Sequence, residues 1–171
     1  MFLPIYYQQA SLILTQCKSA NYNPTFFGCD GLDGLLSIKN FDTSLCEGVM
    51  FLTPFAADAQ DQATQEFVKK YKGAYNGETP NQFAADAYDG VMVLAELMKK
   101  EGITADMSAS DICDKLKKAI SDKDFSYDGL TGTGMKWGED GAVSKDPKAV
   151  IIKNGAYSAL TADDIAASTA Q

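Results

Sequence analysis

Residues 25–34 read TFFGCDGLDG, and they decide how the N-terminal part of the chain is interpreted. TFFGC is short, apolar and rich in β-forming residues, so it predicts a buried strand. Two similar runs flank it, MFLPIYY at 1–7 and GVMFLTPF at 48–55. Helical spacing of apolar residues predicts a helix over about 8–20, and a short helix is expected within 31–40. This alternation of strands and helices predicts a parallel, doubly wound α/β sheet.

The middle of the chain is helical in character. Helices are predicted over 58–75, about 81–100 and about 109–121, and the third should be capped near Ser108 or Ser110. The apolar residues expected to be buried in the second helix are Ala84, Ala87, Tyr88, Val91, Leu94, Ala95 and Met98. Three helices with no strand between them need a sheet to cover, and the neighbouring sequence supplies none.

The last part of the chain predicts β-hairpins followed by a loose end. LTGTGMKW and GEDG, over 130–141, have the composition of a hairpin. AVIIK and AYSAL flank Asn154-Gly155, which is the strongest sequence signal for a type I′ turn. TADDIAASTAQ, residues 161–171, consists mainly of small residues and is predicted to be a loose end.

The composition argues against several classes of function. The net charge of −8 and the pI of about 4.4 disfavour nucleic acids and anionic membrane surfaces as partners. All 15 basic residues are lysines and histidine is absent, which removes arginine forks, histidine bases and histidine metal ligands. The four cysteines have no zinc spacing and are interpreted as buried or reduced rather than as a disulfide framework. We therefore expect no cofactor and no enzyme activity.

Functional side chains are expected where the parallel strands end, because ligands of open α/β sheets bind at the carboxyl ends of strands. The first strand ends at Tyr6-Tyr7, the second at Asp30 and the third at Pro54-Phe55. An acidic residue flanked by aromatic rings favours a cation, most simply an ammonium group. The same charge would repel a phosphate.

The residues alone leave other interpretations open. Asp-Gly is common in turns, so Asp30 also fits a loop residue without a ligand, and Asp33 is interpreted as a helix N-cap. Tyr6 and Tyr7 also fit core aromatic residues. A metal site formed by Asp30, Asp33 and Asp42 is a further alternative, although no calcium-loop pattern is present. An acid/base pair lacks a nucleophile with an orienting partner.

An ordered set of segments over about residues 1–158 resembles the later half of the branched-chain amino-acid binding proteins, the type I solute-binding receptors of ABC importers. The segments that carry the resemblance are PIYYQQASLILTQCKSANYNPTFFGCDGLDG, EGVMFLTPF, QEFVKKYKGAYNGETPNQFAADAYDGVMVLAE and LTGTGMKWGEDGAVSKDPKAVIIKNG. In that family, two doubly wound, Rossmann-like α/β lobes close around an amino acid. The resemblance therefore implies the periplasmic-binding-protein type I fold.

The resemblance also implies how the chain divides between the two lobes. Residues 1–55 would belong to the second lobe, and 56–124 would be the helical part of the first lobe. Residues 125–171 would form a hinge crossing, a β-hairpin return to the second lobe and a tail. Because the family's proteins are much longer than this chain, the resemblance implies a truncated fragment.

The resemblance assigns five candidate ligand contacts. By position, Asp30 resembles the acidic residue that receives the α-ammonium group of the ligand, and Tyr6 resembles the strand-end tyrosine that packs on the ligand. Phe83 falls where an aromatic residue of the first lobe closes the pocket. Tyr7 and Tyr88 are further candidates. Some members carry a longer Glu in place of Asp30, so the resemblance does not fix which amino acid is bound. It implies no catalytic residue and no metal.

The implied function is that of a substrate-binding component of an ABC importer for branched-chain or other aliphatic amino acids. The implied partners are the importer's membrane subunits and, for a fragment, the missing N-terminal half or a swapped copy of this chain. The implied location is extracellular or periplasmic, with a lipid anchor in the full-length parent as one option. We expect weak or absent amino-acid binding by the 171-residue chain alone. A ligand-sensing domain of a receptor or regulator is the alternative function, and a metal-dependent hydrolase is a further one.

Overall fold

The strands of the chain form one five-stranded mixed sheet. In the computed structural model, which describes residues 1–169, β1 (Phe2–Leu3), β2 (Phe27–Gly28) and β3 (Met50–Thr53) are parallel neighbours. β4 (Lys148–Lys153) pairs antiparallel with β3, and β5 (Ala156–Ala159) pairs antiparallel with β4. The strands therefore lie in the order in which they occur in the chain. The predicted α/β class with parallel N-terminal strands is confirmed.

The first helix connects β1 to β2, as predicted. α1 runs from Tyr7 to Ser19, and it buries Ala10, Leu14 and Cys17. The strand predicted over 1–7 is too long, because β1 ends at Leu3 and Tyr7 is already helical. Pro4 explains the early end, since proline has no N–H to donate to a β-ladder.

The core on the α1 side of the sheet contains apolar residues from neighbouring strands. Leu3, Gly28, Phe51 and Val150 are register partners across β1 to β4. Leu3, Phe51 and Val150 belong to one buried cluster that includes the apolar side of α1. A side chain at Gly28 would overlap Leu32, which fills this place in the row.

The chain divides into two compact units. The first unit comprises residues 1–82 and the chain from Pro147 on, and the second unit comprises residues 83–146. The sheet and α1 lie in the first unit. The lobe assignment implied by the resemblance stays a prediction.

The three predicted helices of the middle part are present. They are α2 (Gln62–Ala74) in the first unit, α3 (Gln82–Lys100), which lies almost wholly in the second unit, and α4 (Ala109–Ile120) in the second unit. Ser108 caps α4 as predicted, because its Oγ accepts a hydrogen bond from the Asp111 backbone N at 3.1 Å.

The buried side of α3 consists of residues at four-residue steps, namely Ala85, Asp89, Val93 and Leu97. Val93 and Leu97 pack with Ala119 of α4 and with Phe125 in the core of the second unit. The stripe is narrow because one helix and the loop beyond it cover only this side of α3.

The predicted buried face of α3 is therefore wrong. Its exposed members are Ala87, Tyr88, Val91, Leu94, Ala95 and Met98, while Ala84 is half-buried. Val91 is 65% exposed and Leu94 is 45% exposed. The error has a physical cause: α3 is apolar on two sides, and hydrophobic periodicity does not tell which side a neighbouring helix covers.

The hairpin of β4 and β5 is confirmed together with its turn. Asn154 and Gly155 have φ values of 52° and 72°, in the left-handed region that both central residues of a type I′ turn require. Asparagine tolerates this region better than most residues, and glycine adopts it without a steric penalty.

The second predicted hairpin, over 130–141, is not made of strands. Its backbone forms two isolated antiparallel bridges, Tyr127 with Met135 and Trp137 with Val143. The Asp128 carboxylate accepts a hydrogen bond from the Gly134 backbone N at 2.6 Å. Such side-chain bonds to the backbone, together with glycines, compete with a regular ladder.

The loose end predicted over 161–171 is wrong over the described residues, because α5 (Ala162–Thr169) is helical; residues 170 and 171 lie outside the description. Thr161 and Asp164 cap each other: the Thr161 backbone N donates to Asp164 Oδ2 at 3.0 Å, and the Asp164 backbone N donates to Thr161 Oγ1 at 3.3 Å. Hydrogen bonds from Lys153 and then Thr161 lower the pKa of Asp164 to about 2. The small-residue composition hid this capping signal.

Candidate ligand-binding site

The segments that follow β1 and β2 lie in contact at one edge of the sheet. An added Cβ at Gly31 would lie 2.7 Å from the Ile5 carbonyl oxygen and 3.4 Å from Tyr6 Cα. Gly31 thus allows the loop after β2 to lie against the backbone at Tyr6. Tyr6 is 61% exposed, and Asp30, which precedes Gly31, is also exposed. Two of the predicted site residues, Tyr6 and Asp30, therefore share this edge of the first unit.

Tyr7 lies at the same edge but is half-buried. Its ring covers the backbone of Gly34, where an added Cβ would lie 2.9 Å from Tyr7 Cδ1. Gly34 has a φ of +117°, which disfavours any other residue there. Tyr7 also packs against the core cluster of the first unit, so part of its role is structural.

Asp30 begins a short 3₁₀ turn (Asp30–Leu32), and a second one (Leu35–Ser37) follows, in place of the short helix expected within 31–40. We call residues 28–34 the acidic loop.

The side chain of Gln82 lies next to Asp30. Gln82 Nε2 donates to the Asp30 carbonyl oxygen at 2.7 Å and lies 3.4 Å from the Asp30 carboxylate Oδ2. Among residues 1–169, none of the ion pairs includes Asp30. No lysine of the described chain therefore neutralises its charge.

Asp33 is buried, with 3% of its surface exposed, and it is not a cap of the turn that follows it. Gly34 holds that N-cap position. The Asp33 carboxylate instead accepts a hydrogen bond from the backbone N of Gln82, the first residue of α3, at 2.6 Å. Burial, and then the nearby Asp33 carboxylate, raise the pKa of Tyr157, whose hydroxyl oxygen accepts a bond from the Gly34 N at 3.2 Å. Asp33 therefore organises the loop.

The third acid of the metal alternative, Asp42, caps another turn. Its carboxylate accepts hydrogen bonds from the Ser44 Oγ at 2.6 Å and the Ser44 N at 3.1 Å, and these bonds lower its pKa. Within residues 1–169, no group of three or more His, Cys, Asp or Glu side chains is arranged to hold a metal ion.

The remaining candidate residues, Phe83 and Tyr88, lie on α3 in the second unit. Both side chains are exposed. Their role as ligand contacts stays a prediction, as does that of Tyr6, Tyr7 and Asp30.

Two polar residues that organise these regions were not predicted. Gln82 contacts both acids of the acidic loop. Asp89 is buried in the second unit and accepts hydrogen bonds from Leu130 N, Thr131 N and Thr131 Oγ1 at 2.8–2.9 Å. The sequence does contain an indication of the structural role of Asp89, because this charged residue lies within an otherwise apolar four-residue repeat. Gln82 had none beyond its place next to Phe83.

Solved structures with the same fold come from several bacteria. A leucine-binding protein from Thermotoga maritima is 24% identical with a TM-score of 0.71, and the match covers 95% of this chain and 45% of that one. A second similar structure is that of a branched-chain amino acid transporter substrate-binding protein from Streptococcus pneumoniae, solved with isoleucine. It is 24% identical with a TM-score of 0.73, and the match covers 92% of this chain and 42% of that one. A solute-binding protein from Rhodopseudomonas palustris, solved with benzoate, is 18% identical with a TM-score of 0.75, and the match covers 93% of this chain and 41% of that one.

These matches establish the periplasmic-binding-protein type I fold, and the chain spans less than half the length of each of these structures. No curated protein sequence is significantly similar to the chain. None of the helices described within residues 1–169 combines the length and apolar character needed to cross a membrane. Residues 3–156 match the family model for periplasmic binding proteins. Because this match includes most of the sequence, the chain belongs to the periplasmic binding protein family.

Proposed function

We propose that this chain is part of the substrate-binding component of an ABC importer, and that its ligands are amino acids with aliphatic side chains. Membership of the periplasmic binding protein family supports a binding role without chemistry. The likeness to a leucine-binding protein and to a protein solved with isoleucine supports this ligand class. The observation that carries the proposal is the exposed carboxylate of Asp30 at the carboxyl edge of the parallel strands.

The ligand's ammonium group would bind to Asp30. A charge-assisted hydrogen bond of this kind contributes roughly 1.5–3 kcal/mol. The aromatic ring of Tyr6 at the same edge would add cation–π attraction of about 0.5–2 kcal/mol. We retain Tyr7, Phe83 and Tyr88 as proposed contacts with the rest of the ligand, as the family resemblance implies.

The charge at Asp30 also favours amino acids over simple carboxylates. Benzoate, the ligand of the Rhodopseudomonas palustris structure, has no ammonium group. An uncompensated carboxylate next to such an anion would repel it. Asp30 therefore supports a ligand that carries a positive charge.

The proposed partners and location follow from the importer role. The partners would be the membrane subunits of the importer, and the location would be extracellular or periplasmic. The rest of the type I fold would come from a further polypeptide segment or from a second copy of this chain, because the structures it resembles are more than twice as long.

The test is calorimetric titration of L-leucine into the protein expressed from its complete reading frame. Asp30→Asn keeps the shape of the side chain and removes its charge, so we expect the leucine affinity to fall by about 10- to 100-fold. Asp163→Asn, which neutralises an exposed acid in the first turn of α5, is the control and should bind as the wild type does. Unchanged leucine affinity in Asp30→Asn would refute the proposed role of this residue.

A further inference from the structure

Gln82 is a buried amide at the point where α3 begins. Only 1% of its surface is exposed. Its backbone N donates to the Asp33 carboxylate at 2.6 Å, and its side-chain Nε2 donates to the Asp30 carbonyl oxygen at 2.7 Å. One residue thus holds both acids of the acidic loop, and all of these contacts lie within the first unit.

The side-chain nitrogen of Gln82 also faces the carboxylate of Asp30. Nε2 lies 3.4 Å from Asp30 Oδ2, and an amide nitrogen has a second hydrogen to direct there. This contact is long and its donor is neutral. It restrains the orientation of the carboxylate but does not compensate its charge. A lysine at this place would compensate it.

Packing alone does not explain a glutamine at this position. Its Oε1 is buried and accepts no hydrogen bond from residues 1–169. A buried acceptor without a donor is unfavourable, and methionine has a similar size without that acceptor. Reversing the amide would place Oε1 against the Asp30 carbonyl oxygen, so the bonds to Asp30 determine how the side chain lies.

We propose that Gln82 is a positioning residue that fixes the side-chain rotamer of Asp30 before the ligand arrives. The effect on binding rests on the proposed function, whereas the orientation of Asp30 is a property of the unliganded chain. An acceptor that is already oriented loses less conformational entropy when it binds an ammonium group. Gln82 would therefore increase ligand affinity without contacting the ligand.

The first test needs no ligand. Three-bond NMR couplings about the Cα–Cβ bond of Asp30 are measured in the wild type, in Gln82→Met and in Gln62→Met. Gln62 is a matched control because it is the first residue of α2 and its Nε2 donates to Glu66 on an exposed surface. We expect a single Asp30 rotamer in the wild type and the control, and rotamer averaging in Gln82→Met.

Unchanged Asp30 couplings in Gln82→Met would overturn the proposal. Should Gln82→Met fail to fold, Gln82→Asn takes its place. Asparagine keeps the amide but is one methylene shorter, so it no longer reaches Asp30. The same expectation of rotamer averaging applies, and unchanged couplings again overturn the proposal.

The second test is a double-mutant cycle with L-leucine, measured by calorimetry on the protein from its complete reading frame. Gln82→Met should weaken leucine binding by about two- to tenfold. In the Asp30→Asn background it should cause no further loss, because no carboxylate remains to be positioned.

The outcomes of the cycle separate the two proposals. Equal losses in both backgrounds would show a purely structural role for Gln82 and overturn the inference. If Asp30→Asn itself leaves leucine affinity unchanged, the proposed function fails, and the ligand-free couplings still decide whether Gln82 positions Asp30.

Discussion

Asp30 and Asp33 lie three residues apart in the acidic loop, but their surroundings differ. Asp33 is buried and accepts a hydrogen bond from the start of α3. Asp30 is exposed, and the neutral side-chain amide of Gln82 lies 3.4 Å from its carboxylate. A buried carboxylate that accepts a hydrogen bond stabilises the fold, whereas an exposed carboxylate is accessible to a ligand, which is the role that we propose for Asp30.

A second residue with unusual chemistry is Cys46, one of four free cysteines and fully buried. Burial, and then the charge of Asp42, raise the pKa of its thiol from 9.0 to about 12. Above pH 9 the unfolded chain releases this proton while the folded chain keeps it, so stability falls as the pH rises towards 12. We expect the free energy of unfolding in urea to decrease by about 1 kcal/mol between pH 9 and 10.

The control for this prediction is built on the other cysteines. Cys46→Ala should remove most of the decrease, whereas Cys113→Ala, at an exposed position, should keep it. The range stops at pH 10 because Tyr157, whose pKa is also raised by burial, contributes at higher pH. An equal pH dependence in Cys46→Ala and the wild type would contradict the assignment.

The sequence predicts the position of Asp30 but not the residues that hold it. Strand ends gather at one edge of a parallel sheet, and this rule depends only on local pattern. Gln82 and Asp30 are 52 residues apart, and no local signal joins them. For the same reason the local pattern favours a cap role for Asp33, whereas the hydrogen bond to its carboxylate comes from Gln82, 49 residues further along the chain.

At the level of elements, Asp89 joins α3 to the loop that contains Leu130 and Thr131. Its Oδ1 accepts a hydrogen bond from the Leu130 backbone N, and its Oδ2 accepts one from the Thr131 backbone N. Gly129 makes the approach possible, because an added Cβ there would lie 2.5 Å from Asp89 Oδ2. The loop of the second unit is thus fixed by one buried acid.

Alanine substitutions at Gly129 and at Gly90 should have opposite effects on stability, because only Gly129 lies against another side chain. Gly129→Ala should lower the free energy of unfolding by roughly 1–3 kcal/mol, because the methyl group would push Asp89 off its partners. Gly90→Ala, at an open helical position of α3 with nothing within 4 Å of the added Cβ, should raise it by about 0.5–1 kcal/mol. Urea denaturation measures both, and a neutral Gly129→Ala would disprove the close contact.

Most elements could be predicted because their signals are local. Helical periodicity located α1, and Asn154-Gly155 located the β4–β5 turn. The errors arise where a choice depends on distant residues or on weak signals. Which side of α3 is buried depends on α4, and α5 depends on a cap between Thr161 and Asp164 that a small-residue composition conceals.

The 171-residue chain exposes one apolar face of α3. Val91, Leu94 and Met98 are 65%, 45% and 40% exposed. Such a face favours association, so we expect the chain to form dimers or larger oligomers. Light scattering measures this oligomeric state. Val91→Glu should shift the chain towards the monomer.

Lys99→Gln is the control for association. It changes the net charge by the same amount as Val91→Glu, but at an exposed polar position of α3. It should leave the oligomeric state as in the wild type. A compact monomer in the unsubstituted chain would show that this face needs no partner.

The proposed function requires that Asp30 binds the ammonium group of an amino acid. The most direct measurement compares L-leucine with isocaproate, which has the side chain and carboxylate of leucine but no amino group, by calorimetry on the protein from its complete reading frame. We expect leucine to bind, and isocaproate to bind at least about tenfold more weakly. Equal affinity for the two compounds, or binding of isocaproate alone, would contradict it.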